Sequence, residues 1–166
     1  MRKTAKCTIL ALLVLAAASA SGLSQSAGQV SPIIGTWKLN PQKSKLVYNL
    51  PPRSLVRKYE DRGGGVYIFT QDGRSADGTK MFSMYVAKDD GKEYPLVIQG
   101  ADDLGSIMLK AIDAYTTEQT EKHGENVSST ATRTISRDGK TLTLTVKLRG
   151  GGETGEMVDV MVFDKQ

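Results

Sequence analysis

An arginine among apolar neighbours is the first residue of this chain whose chemistry needs an account. Along residues 127–135, Val127, Ala131, Arg133 and Ile135 share one parity, and Thr130, Thr132 and Thr134 share the other. In an extended strand this puts Arg133 on the face that carries the apolar groups. A lone guanidinium there is costly unless it is paired or hydrogen-bonded. Two readings stay open: an anchor for the anionic or carbonyl group of a small ligand, or a structural residue paired with an acid such as Asp159 or stacked on Trp37. The aromatic side chains that could wall a ligand site are Tyr67, Phe82, Tyr85 and Tyr115, and Thr117 and Gln119 continue the Tyr115 parity with polar groups.

Catalytic groups are sparse by comparison. The single histidine, His123, lies in a Lys122-His123-Gly124-Glu125 turn, and the single cysteine, Cys7, lies in the N-terminal segment. No nucleophile elbow, phosphate-cradling glycine loop or histidine-based metal cluster is present, so the expectation is a non-enzyme without metal or cofactor. Asp89-Asp90 and Asp102-Asp103 read as solvated turns. Asn126-Val127-Ser128 has the spacing of an N-glycosylation sequon, a pattern short enough to arise by chance.

Residues 1–20 have the pattern of a secretory signal peptide: Arg2, Lys3 and Lys6, an apolar run from Ile9 to Ala18, and the small-residue exit Ala18-Ser19-Ala20. The run is shorter than the roughly 17–25 residues that a membrane-spanning helix takes. Export to the periplasm or the extracellular space is therefore expected, with no integral membrane association. Without that segment, 19 of the 22 basic side chains remain against 18 acids, a formal charge of +1. Nucleic-acid binding, which needs a surplus of Lys and Arg on one surface, loses its support. Residues 21–30 read as a flexible leader, and residues 31–166 as one domain of ordinary size.

These side chains must be positioned by strands. From Ser31 onward, short segments rich in Thr, Val, Ile, Tyr and Phe alternate with Gly beside Asp, Asn or Lys. Thr141–Leu148 is the clearest, with Leu142, Leu144, Val146 and Leu148 on one face and Thr or Lys on the other. Further strands are expected at 35–40, 54–60, 66–71, 79–87, 93–98, 106–112, 115–122, 127–136 and 156–164. Turns are expected at Asp77-Gly78, Asp90-Gly91, Asp138-Gly139, Gly63–Gly65 and Gly150–Gly152. Leu104, Ile107, Met108, Ala111, Ile112 and Tyr115 also match helical spacing, which leaves a short helix open in that segment. The expected fold class is all-β: an antiparallel up-and-down barrel of about 8–10 strands or a sandwich, with barrel closure favoured because it removes exposed edges.

Two stretches resemble a known superfamily. Gly35-Thr36-Trp37-Lys38-Leu39 is similar to the Gly-x-Trp first strand of lipocalins and fatty-acid-binding proteins, together the calycins. Thr132 to Thr145 and Val162-Phe163-Asp164-Lys165 resemble the final strands of the fatty-acid-binding branch, and the whole of residues 33–166 resembles bacterial secreted lipocalin-like proteins. The resemblance implies a barrel in which Gly35 and Trp37 are structural, Trp37 closing the base. It also implies departures: Pro41 to Pro52 leaves little room for the two lid helices of fatty-acid-binding proteins. Met161 and Phe163 stand where that family has the Arg-x-Tyr pair that grips a carboxylate, and Arg133 is the counterpart of its other arginine.

Several strands carry apolar groups on both faces, among them Val66 and Ile68 against Tyr67 and Phe69, and Met81 and Tyr85 against Phe82, Met84 and Val86. Two functional expectations follow. In the first, an exported barrel binds a small hydrophobic or amphipathic molecule inside, with Arg133, Tyr67, Phe82, Tyr85 and Tyr115 at the site. In the second, a barrel with a filled core acts through an exposed apolar patch on an unidentified protein partner, in an envelope-structural or inhibitor role.

Overall fold

Ten antiparallel strands close into a single up-and-down barrel in the computed structural model, which describes residues 30–47, 50–148 and 157–166. The strands are β1 (Gly35–Leu39), β2 (Ser54–Asp61), β3 (Tyr67–Arg74), β4 (Lys80–Ala87), β5 (Asp90–Ile98), β6 (Gly105–Ala111), β7 (Thr116–His123), β8 (Asn126–Ile135), β9 (Thr141–Leu148) and β10 (Met157–Lys165). Each pairs with its chain neighbours, and β1 pairs with β10 through Trp37↔Lys165, Lys38↔Asp164 and Leu39↔Phe163. The segments expected as signal peptide and, for the most part, leader, and the turn expected at Gly150–Gly152, lie outside the described residues.

Period-2 alternation decides what enters the interior. On β2, Leu55, Arg57 and Tyr59 are buried between exposed or half-buried neighbours, and on β8 Ser129, Ala131, Arg133 and Ile135 are buried between exposed threonines and Ser128. The segment left open between strand and helix is strand β6: alternation sends Ile107 and Leu109 into the core, whereas the helical set would have placed Ile107 beside Met108 and Ala111, which are half-buried and exposed. No helix occurs among the described residues of the Pro41–Pro52 stretch. Lys45 instead forms an antiparallel bridge with Val160 beyond the end of β1, with both backbone bonds at 2.7–2.8 Å.

One end of the barrel is sealed. Trp37 has no exposed surface, donates its indole N–H to the Ile33 carbonyl at 2.8 Å, and lies under the Lys165 ammonium, 5.0 Å from the ring centroid. Gly35 stands two residues before it at φ +138°, a backbone conformation that L side chains rarely adopt, so the first residue of the Gly-x-Trp spacing is set by the backbone of this corner. Across β2, β3 and β4 the register aligns Tyr59, Phe69 and Tyr85, whose rings pack at 5.0 and 4.5 Å. This aromatic row forms one wall of the core.

Turn chemistry follows the expected Asp-Gly pattern in two hairpins. In the β3–β4 turn, Asp77 accepts from the Ser75 hydroxyl and from the Thr79 N–H at 2.9 Å, and Gly78 has φ +95°. In the β8–β9 turn, Asp138 accepts from the Ser136 hydroxyl at 2.5 Å and from the Lys140 N–H at 3.1 Å. Asp90-Gly91 is not a turn but the irregular start of β5, with a register shift between Asp90 and Glu93. The reversal falls at Lys88-Asp89, one step earlier, because Asp89 is drawn toward the interior.

The two turn aspartates carry an acid-stability signature. Hydrogen bonds from Ser75 and Thr79 lower the Asp77 pKa to about 2, and those from Ser136 and Lys140 lower that of Asp138. A carboxyl whose folded pKa lies below its unfolded value stabilises the fold above the unfolded value and loses that contribution as pH falls toward the folded one. The melting temperature should therefore fall between about pH 4 and pH 2. Asp77→Asn, which keeps the turn's acceptor oxygen without a titrating proton, should show a smaller fall over the same window in thermal melts.

Candidate functional site

Among the described residues two arginines face the barrel interior, and their surroundings differ. Arg133, on β8, is 2 % exposed and lies in the sealed half. Its Nη2 lies 2.8 and 3.1 Å from the two Asp89 carboxylate oxygens and 3.0 Å from Thr117 Oγ1, and its Nη1 is 3.2 Å from the Tyr67 hydroxyl. Tyr67 donates in turn to Asp89 at 2.6 Å and Thr117 donates to the other Asp89 oxygen at 3.1 Å, so both hydroxyls bridge acid and base. The Tyr59 and Tyr67 rings flank the guanidinium at 5.4 and 5.7 Å.

The network accounts for its own electrostatics. Burial opposes the Arg133 charge, but the surrounding tyrosine oxygens and Asp89 outweigh it and hold the pKa above the ordinary guanidinium value. Burial raises the Tyr67 hydroxyl well above its ordinary pKa despite the nearby guanidinium, so Tyr67 remains a donor. Arg133 is thus a paired structural residue, and its partner is Asp89, not Asp159 or Trp37. Asp89 is correspondingly not a solvated turn residue. Asp159 is buried elsewhere and accepts from the Val47 N–H at 2.5 Å, and the cation over Trp37 is Lys165.

The other half of the barrel encloses a cavity of about 380 Å³. Phe69, Tyr85, Leu96, Leu144, Val146 and Met161 supply its apolar wall, and the exposed Lys80, Ile98 and Gln99 stand at its mouth beside Phe82. Its volume falls within the range of small-molecule sites, roughly 300–1,000 Å³. Of the residues expected at a ligand site, Tyr85 and Phe82 line this cavity. Tyr67 and Arg133 are in the network below it, and Tyr115 packs at the sealed end with the Arg137 guanidinium 4.3 Å from its ring.

Arg57, on β2, is the polar residue that sequence reasoning passed over. It is 8 % exposed and lines the cavity. Its Nε–H donates to Gln71 Oε1 at 3.0 Å, and its guanidinium lies 5.1 and 5.5 Å from the Phe163 and Phe69 ring centroids. None of the ion pairs among the described residues involves Arg57. The two terminal nitrogens have no hydrogen-bond partner among the described residues either, and they are not sealed off from the open space beside them. They therefore present N–H donors to the cavity. The signal was available, since Leu55, Arg57 and Tyr59 share parity just as Ala131, Arg133 and Ile135 do.

Other polar groups on the wall are Gln71, Ser83, Gln119, Glu121 and Ser129. No cluster of three or more His, Cys, Asp or Glu side chains suited to a metal ion occurs among the described residues. His123 is exposed, with its Nε2 4.0 Å from Asp103. Comparison with protein-family models and with curated proteins returns no match to this chain.

Two stability predictions follow from the sealed half. Arg133→Met leaves the Asp89 carboxylate without its cation and should cost about 3–5 kcal/mol in denaturant unfolding, whereas Arg133→Met combined with Asp89→Leu should recover a large part of that loss. The Tyr59 hydroxyl is buried with no hydrogen-bond partner among the described residues. Removing such a hydroxyl removes a desolvation penalty of about 1–3 kcal/mol, so Tyr59→Phe should leave the melting temperature unchanged or raise it.

Proposed function

We propose that this chain is an exported, non-catalytic, lipocalin-like binding protein that holds a small amphipathic molecule inside the barrel. The acidic or carbonyl head of the ligand sits on Arg57, and its apolar part lies against Phe69, Tyr85, Leu144 and Met161. One observation carries this reading: an interior guanidinium with unpaired N–H groups opens onto a cavity of about 380 Å³ walled by apolar side chains. A buried cation without a carboxylate partner is costly, and cation–π contact offsets only part of the cost. An anionic ligand group supplies the rest through charge-assisted, bidentate hydrogen bonds.

The calycin resemblance supports the same reading with a relocated anchor. Met161 and Phe163 replace the family's terminal carboxylate grip, while Arg57 reaches the same interior from β2 and rests on the Phe163 ring. Export rests on the composition of residues 1–20.

A second reading, contact with a protein partner, draws on an outward apolar stripe. Ile68 pairs with Val86 and Met84 with Val97 across β3, β4 and β5, and Val86 and Val97 are 45 % and 38 % exposed. The cavity disfavours the filled core that this reading supposes.

The mature chain, purified from its exporting host, is expected to yield a stoichiometric small molecule by native mass spectrometry and solvent extraction. The delipidated protein should bind dodecanoate in calorimetry. Arg57→Met should weaken that binding about tenfold or more, the loss of roughly 1.5–3 kcal/mol expected for a charged hydrogen bond, with little change in melting temperature. Dodecanoate affinity unchanged by Arg57→Met would exclude Arg57 as the anchor.

A further inference from the structure

The cavity has a second polar pole, and its position relative to Arg57 restricts the ligand further. Glu121, on β7, lines the same space. Its Oε1 accepts from Gln119 Nε2 at 2.7 Å and its Oε2 accepts from the Ser129 hydroxyl at 3.2 Å. Gln119 and Ser129 are themselves buried, so the half-buried carboxylate is held by two fixed donors. None of the ion pairs among the described residues involves Glu121. Each of its oxygens has one donor and capacity for another.

Ring order makes the arrangement bipolar. In the closed sequence β1-β10-β9-β8-β7-β6-β5-β4-β3-β2, strands β2 and β7 are separated by five steps in either direction. Arg57 and Glu121 thus project from opposite walls of one cavity. Each is steadied by side chains of its own wall: Gln71 for Arg57, and Gln119 and Ser129 for Glu121. Phe69, Tyr85, Leu144 and Met161 are the apolar surface shared between them.

Resting on the binding function proposed above, we infer that the ligand is dipolar: an anionic group at Arg57, a short apolar body, and a cationic or multiply hydrogen-bond-donating group at Glu121. A simple fatty acid would satisfy Arg57 and lay its tail against a carboxylate, taking water from the free lone pairs of the half-buried Glu121 without replacing it. A dianion would be repelled there. A molecule with an ammonium or similar donor at its far end satisfies both poles, and a singly headed molecule binds more weakly because it leaves one pole unpaired.

Calorimetry with octanoate, octylamine and 8-aminooctanoate on the mature chain tests this without requiring any variant. The expected ranking has 8-aminooctanoate bound about tenfold or more tightly than either singly headed compound. Glu121→Gln, which keeps the shape and the acceptor for Gln119, should weaken 8-aminooctanoate about tenfold and leave octanoate equal or stronger. Octanoate bound as tightly as 8-aminooctanoate in the wild-type protein would overturn the dipolar assignment. An 8-aminooctanoate affinity indifferent to Glu121→Gln would do the same. In either case the simpler reading would survive if octanoate still depends on Arg57. Failure of all three probes to bind at millimolar concentration would overturn both.

Discussion

Hydrogen bonding between β1 and β10 turns a ten-strand meander into a surface without edges, and the interior exists only because of that closure. Once the ring is closed, alternate residues of every strand are forced into one enclosed volume whatever their chemistry. Trp37 and Gly35 stand at the seam, where the indole seals the base under the Lys165 ammonium and glycine takes the positive φ that the backbone needs. The short β1 is extended in effect by the Lys45 bridge to Val160, which continues the pairing of β10 after the chain has turned.

Enclosure makes polar side chains consequential. At the sealed end, Arg133, Asp89, Tyr67 and Thr117 satisfy one another so fully that a buried charge is tolerated. That end is a solid, specific core. In the other half, Arg57 and Glu121 are supported by neighbours but not neutralised by any residue described, and the space between them is left open. The same principle separates the two halves: interior charges either find partners within the chain, or stay hydrated or bound to something else.

The aromatic row of Tyr59, Phe69 and Tyr85 joins the two halves. Tyr59 belongs to the sealed core and Phe69 touches both the row and the Arg57 guanidinium, while Tyr85 opens onto the cavity. Rings in fixed stacking geometry are stiff walls, which allows the cavity to persist beside a close-packed base instead of collapsing into it.

The amino-acid sequence by itself determined the strands, because alternation and Asp-Gly or Gly-rich turns are local signals. Thr141–Leu148 is legible from its own residues, as is the inward face of β8. The ambiguity over residues 104–115 arose because Ile107 fits a period-2 set with Leu109 and a helical set with Met108 and Ala111, and only pairing with β5 and β7 selects between them. Parity placed Arg133 indoors but could not name its partner. Asp89 lies 44 residues away in a turn that reads as solvated, and folding carries it to the guanidinium. Parity also held Arg57 and Glu121, yet nothing local distinguishes an interior arginine that will be paired from one that will face a cavity. That distinction belongs to the tertiary structure, since it depends on which strands the closed ring sets opposite each other and on where the acids from distant turns come to rest.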